Sequence, residues 1–240
     1  MDYVRLLWDY RVLFLSGVIL FGPSLRLPQL GVGPAALQVC EGTSLCTNGG
    51  SPWGVVTSVF LYDGWTNVPV YFAILLIYSS FSDNVESDER RRRAHFTSIA
   101  IFGAAFTANA LWMLVRPLTY SLGPSGVVYS LWGVLLAFTL FDGMPKQPRS
   151  LNPRTWYGDK KERSSAVGNL AIFASTAIVL ALEPEEFLSA GPGINVFAHA
   201  IGFLGGYFSA QAYRWSRKRE IPTLSAIRQV ATTFFRHLKG

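Results

Sequence analysis

Apolar residues gather in six runs, at about residues 10–25, 55–81, 94–115, 126–141, 166–182 and 194–213, with polar and charged stretches between them. A straight membrane-spanning helix needs ~20 such residues. Several runs are shorter, as expected where helices shield one another and part of the assembly dips into the membrane. The upper part of the second run is amphipathic. The pattern predicts an all-α membrane protein, a bundle of six transmembrane helices, with a soluble helical core as the lesser alternative. No inverted repeat and no relay of intramembrane acids is visible, which disfavours a transporter or channel.

Charge adds a direction to this picture. Of the 240 residues 50% are hydrophobic and 15% charged, with a formal net charge of +6. The basic residues cluster in alternate connections. Arg5 and Arg11 flank the start of the first run. Arg90 to Arg93 lie between the second and third. Lys146, Arg149, Arg154, Lys160, Lys161 and Arg163 lie between the fourth and fifth. Arg214, Arg217, Lys218, Arg219, Arg228, Arg236 and Lys239 follow the sixth, while the other connections carry only Arg26 and Arg116 with Glu41, Glu183, Glu185 and Glu186. The positive-inside rule then predicts an integral membrane protein with both termini cytoplasmic, expected in the plasma membrane. Topology accounts for the basic charge, so no nucleic-acid partner is expected; the partner is the bilayer. No cleavable signal peptide is expected, because no small-residue cleavage site follows the first run.

Three regions follow: a cytoplasmic N-terminus (1–9), a membrane domain (10–213) and a basic tail (214–240). In the tail Ile227, Val230, Phe234 and Leu238 recur at helical spacing, which resembles a basic helix lying on the inner membrane surface, with a frayed tail as the alternative. The first outer loop, about 26–52, holds both cysteines, Cys40 and Cys46. In an oxidising compartment they could form a disulfide; two free thiols is the alternative. Two cysteines without a nearby histidine do not make a zinc site. No phosphate loop and no H-E-x-x-H motif occurs, so neither a metal nor another cofactor is expected.

Candidate chemistry sits where the fourth run begins, in Ser121-Leu122-Gly123-Pro124-Ser125-Gly126-Val127-Val128-Tyr129. Glycines flank a serine where loop becomes helix. A hydroxyl there faces free backbone N–H groups and the positive end of the helix dipole. This suits a nucleophile that must support an oxyanion, although a lone G-x-S-G is more often a helix N-cap than a nucleophile. Of the three histidines, His95 starts the third run beside Arg90 to Arg93 and His237 is in the tail, and only His199 is set within an apolar segment away from such a cluster. An ionisable residue there is a functional candidate by default, with a structural histidine bonded to a backbone carbonyl as the alternative. It stands near the outer end of its run, the depth assigned to Ser125. Gly202 and Gly206 form one small-residue face after it, and Ser125, Tyr129 and Gly133 share a face on the fourth run. Packing these faces, with Gly126 also at the contact, would bring an imidazole to a hydroxyl. A histidine so placed can take the serine proton and return it to a leaving amine.

These residues resemble the rhomboid intramembrane serine proteases. The resemblance is carried by Gly123-Pro124-Ser125-Gly126, by His199-x-x-Gly202-x-x-x-Gly206, by Tyr129 four residues after the serine, and by the segment from Trp53 to Trp65; it covers roughly residues 53–213. It implies a six-helix fold with a water-filled cavity, and a Ser–His dyad of Ser125 and His199. It also implies membrane-anchored protein substrates cut near the outer membrane face, with residues 183–195 and the fifth run as gate and cap. Gly123, Asn67, Tyr71 and Tyr129 become the oxyanion or supporting residues. The chain departs from the family pattern at Tyr62, Asn67 and Tyr71, where the family usually carries His, His and Asn. Gly54 replaces an arginine. Pro124 offers no N–H to an oxyanion. The alternative these departures raise is a rhomboid-like protein that binds membrane-protein clients without cleaving them. Substrate identity and oligomeric state are not encoded in any recognisable motif.

Overall fold

A computed structural model of the chain describes residues 8–26, 53–60, 67–81, 86–115, 123–138 and 196–218. All of the regular structure among them is helical. The helices are α1 (Arg11–Arg26), α2 (Gly54–Thr57) running into a 3₁₀ turn (Ser58–Phe60), α3 (Asn67–Phe81), α4 (Ser87–Val115), α5 (Ser125–Phe138) and α6 (Val196–Lys218). The fifth predicted run, its gate and cap, the Cys40–Cys46 loop, Tyr62 and the tail beyond 218 lie outside the described residues. The six-helix count is therefore met only in part. Among the described residues α4 alone is long and apolar enough to cross a membrane unaided, with shorter apolar helices at Arg11–Gly22, Asn67–Tyr78 and Ser125–Phe138.

Helix α5 is the centre. Its sequence, SGVVYSLWGVLLAF, is apolar on every side, and 11 of its 14 residues are buried. A helix of that composition needs neighbours all round. They are α6, which lies along it most extensively, then α4 and α3. Helix α1 packs outside, on α3 and α4.

Three element boundaries differ from the sequence expectation. The second run is not one helix. It breaks into α2, the 3₁₀ turn and, from Asn67, α3, because its first part is an inserted wedge: Val59 is buried and Phe60 stacks on Phe102 of α4 at 6.0 Å. Helix α4 begins at Ser87, seven residues before the expected start at 94, so Arg90 to Arg93 are helical rather than loop. Asp88 and Glu89 in the first turn suit the positive helix end, and Glu89 takes Arg92 and Arg93 at helical spacing (3.3 and 3.0 Å). Helix α6 continues past 213 to Lys218, where Arg217 lies over the Tyr213 ring at 5.8 Å.

The arginine end is tied across helices. Asp9, 2% exposed, accepts from Arg90 (2.7 Å), Arg91 (3.1 Å) and Ser87 (3.0 Å). Burial alone would raise the Asp9 carboxyl, but these donors together hold it below its ordinary 3.8. Tyr213 of α6 donates to Glu89 of α4 at 3.3 Å. The opposite end carries Ser125 and His199.

Candidate active site

The turn into α5 sets the serine. Gly123 has φ of 110°, a conformation open to glycine and strained for other residues. Its N–H donates to the Ser58 carbonyl at 2.9 Å, fixing the loop to the 3₁₀ turn. The Pro124 carbonyl then accepts from Val127 (2.9 Å) and Val128 (3.1 Å). Pro124 is thus the N-cap, the residue whose carbonyl takes the first helical bond. Ser125 is the first helical residue, so the capping alternative raised for it falls away. Its own N–H and that of Gly126 belong to the first-turn donors that an α-helix leaves without an intrahelical acceptor.

Helix α6 brings His199 to this point through glycine contacts. A methyl on Gly126 would stand 3.3 Å from the Ala198 carbonyl, and one on Gly202 would stand 2.6 Å from the Gly126 carbonyl. Further along, a methyl on Gly133 would fall on the Phe203 carbonyl, and one on Gly206 on the Ser130 carbonyl. The two backbones therefore run in direct contact from Gly126 to Gly133 of α5, about two turns, as small residues allow. Gly205 makes a similar approach to Ala104 of α4. The residue after the serine and the residue before the histidine touch.

His199 is 8% exposed. Its ring stacks on Tyr129, one turn after Ser125, with centroids 4.4 Å apart and planes at 29°. Trp132 also stacks on Tyr129, with centroids 6.1 Å apart, and meets Phe203 of α6 edge-on at 6.4 Å. The imidazole is thus held flat on the serine face of α5. Ser125 and Tyr129 are half-buried.

Other expected site residues fall elsewhere. Tyr71 is fully buried and its hydroxyl donates to the Leu13 carbonyl of α1 at 2.9 Å. Its ring packs edge-on against Phe21 and Phe72. Its bulk makes it a bridge between α1 and α3, a correction to its expected place as an oxyanion donor. Gly123 is also not an oxyanion donor, since its N–H is spent on Ser58; it supports the turn. Asn67 opens α3, half-buried. Sequence reasoning missed Asn109, 4% exposed, whose side-chain amide donates to Ser58 Oγ (3.0 Å) and the Val55 carbonyl (3.2 Å). A polar residue within the α4 run was the available signal. Among the described residues no three His, Cys, Asp or Glu side chains converge on a point that could hold a metal.

The described residues form an all-helical bundle whose apolar central helix is paired with a second through glycines, with a serine and a histidine at the same end. The rhomboid domain model matches residues 49–216, well over half of the chain, and the chain belongs to the rhomboid family. It is an integral membrane protein. No curated protein and no solved structure matches it. The family consists mostly of serine intramembrane proteases that act on membrane-protein substrates within the bilayer, and it includes inactive members.

Proposed function

We propose that this chain is an intramembrane serine protease using Ser125 as nucleophile and His199 as general base. The observation that carries the reading is the His199–Tyr129 stack at 4.4 Å, one turn from Ser125, on helices locked together by glycine contacts. In this reading His199 takes the Ser125 proton as Oγ attacks the scissile carbonyl. It then delivers that proton to the leaving amine, and water completes the hydrolysis of the acyl-enzyme in the same way. The developing oxyanion is met by the first-turn N–H groups of α5, with the Asn67 amide as the side-chain donor. Substrates are membrane-anchored proteins cut near the outer face. The orientation rests on the charge asymmetry of the loops, with both termini cytoplasmic and the plasma membrane as the site.

A second reading, a client-binding protein without cleavage, draws on the same geometry. Pro124 has no N–H, the Gly123 N–H is engaged, and the Tyr71 hydroxyl is bonded to α1. Loss of one oxyanion donor typically slows a hydrolase by about 10²–10³. Fluorophosphonate labelling of the detergent-solubilised protein separates the two. Labelling of wild type that disappears in both Ser125→Ala and His199→Ala is the outcome expected of a protease. A folded wild type that takes no label favours client binding.

A further inference from the structure

Resting on the protease reading, we infer that Asn109 is a positioning residue for Ser125, acting through the wedge formed by α2 and the 3₁₀ turn. The long helix α4 is the rigid member. Asn109 sits on its buried side among Ala105, Ala108 and Trp112, where a polar group needs partners. Its two N–H donors meet two acceptors on the wedge: Ser58 Oγ at 3.0 Å and the Val55 carbonyl at 3.2 Å. The main chain of the same Ser58 accepts the Gly123 N–H at 2.9 Å. Gly123 is two residues from the nucleophile and holds φ of 110°. The path therefore runs from the α4 side chain to the Ser58 residue, to the Gly123 peptide, to the Pro124 cap and the first residue of α5.

Each link has a distinct physical task. Val59 and Phe60 seat the wedge by apolar burial, which is non-directional and fixes depth but not angle. The Asn109 amide supplies the direction, because two hydrogen bonds from one planar group fix the orientation of the turn. The Ser58 carbonyl then presents a single acceptor to a glycine whose backbone could otherwise adopt many conformations. With Asn109 removed, the wedge remains buried yet is free to rotate, and the Gly123 peptide rotates with it. The displacement reaches Ser125 Oγ, and a misplacement of ~1 Å at a reacting atom can slow a reaction by about 10²-fold.

The test measures the fluorophosphonate inactivation rate against probe concentration for purified full-length wild type, Asn109→Leu, Asn109→Asp and Ser58→Ala. Elution volume and melting temperature are followed in parallel. A slower maximal inactivation rate in both Asn109 variants, by about 10-fold or more, is the expected result. Apparent probe affinity and the pH midpoint of labelling stay at wild-type values, and Ser58→Ala is intermediate. A purely structural Asn109 would instead lower the fraction of protein that labels and leave the rate of the folded fraction unchanged, and that result overturns the proposal. If Asn109→Leu does not fold, Ser58→Ala and Asn109→Asp decide: wild-type inactivation rates in both overturn it. Wild type that takes no label sinks the protease reading and the positioning role together. A labelled wild type with unaffected variants sinks the positioning role alone.

Discussion

Tyr71 and Tyr129 are both tyrosines four residues beyond a position of interest, yet their surroundings give them different work. The Tyr71 hydroxyl is committed to Leu13, so Tyr71→Phe should leave fluorophosphonate labelling unchanged while weakening the α1–α3 contact by about 1 kcal/mol. A loss of labelling in a well-folded Tyr71→Phe protein would return the hydroxyl to the oxyanion site. The Tyr129 ring carries the imidazole. Tyr129→Phe should label like wild type, whereas Tyr129→Ala and, more weakly, Trp132→Ala should slow labelling because the stack that orients His199 is lost. Labelling rates of the three variants at equal folded fraction provide the comparison.

At the scale of elements, the α5–α6 contact depends on the absence of four side chains. Gly133 and Gly206 face backbone carbonyls of the other helix at distances no methyl can share, so Gly133→Ala and Gly206→Ala must push the helices apart. Overpacking of this kind destabilises by roughly 1–3 kcal/mol, and here it also separates His199 from Ser125. Both melting temperature and labelling should fall. A methyl on Gly103 of α4 would meet nothing within 4 Å, so Gly103→Ala should be neutral or stabilising, through the ~1 kcal/mol helix preference of alanine over glycine. Melting curves of the three variants in one detergent distinguish position-specific contact from a general dislike of substitution.

For the molecule as a whole, the arginine end is a clamp that joins the segment before α1, α4 and α6 at the pole away from the serine. Asp9 is its most buried acid. Its folded value lies below the ordinary carboxylate value, so its contribution to stability is complete above that ordinary value and is lost as pH falls through the lower, folded one. Melting temperature should therefore drop below about pH 4 in wild type. In Asp9→Asn this part of the acid sensitivity should be absent, and the variant should already be less stable at pH 7. Arg91 is 43% exposed, so the loss should be smaller than the about 3–5 kcal/mol typical of breaking a fully buried pair. An unchanged acid profile in Asp9→Asn would show that other carboxylates dominate.

The sequence by itself determined the class: apolar runs of membrane length, the basic clusters beside them, and a Gly-x-Ser-Gly start on the run that proved to be the central helix. Those features are local, and a helix that is apolar on every side has few ways to satisfy itself except at the middle of a bundle. Pairing Ser125 with His199 as candidates was also legible, because glycine faces at four-residue spacing announce close helix approach before any partner is known. What only the tertiary structure decided was the direction of individual polar groups. Whether the Tyr71 hydroxyl meets Leu13 or a reacting carbonyl, whether the Gly123 N–H is engaged, and whether Asn109 reaches Ser58 depend on where a second element places its acceptor. The break between α2 and α3 belongs to the same category, since the wedge is held by α4 residues about forty to fifty positions further along the chain. Hydropathy records how much a residue prefers to be buried, whereas hydrogen bonds and ring contacts record against what, and that second property belongs to pairs of segments.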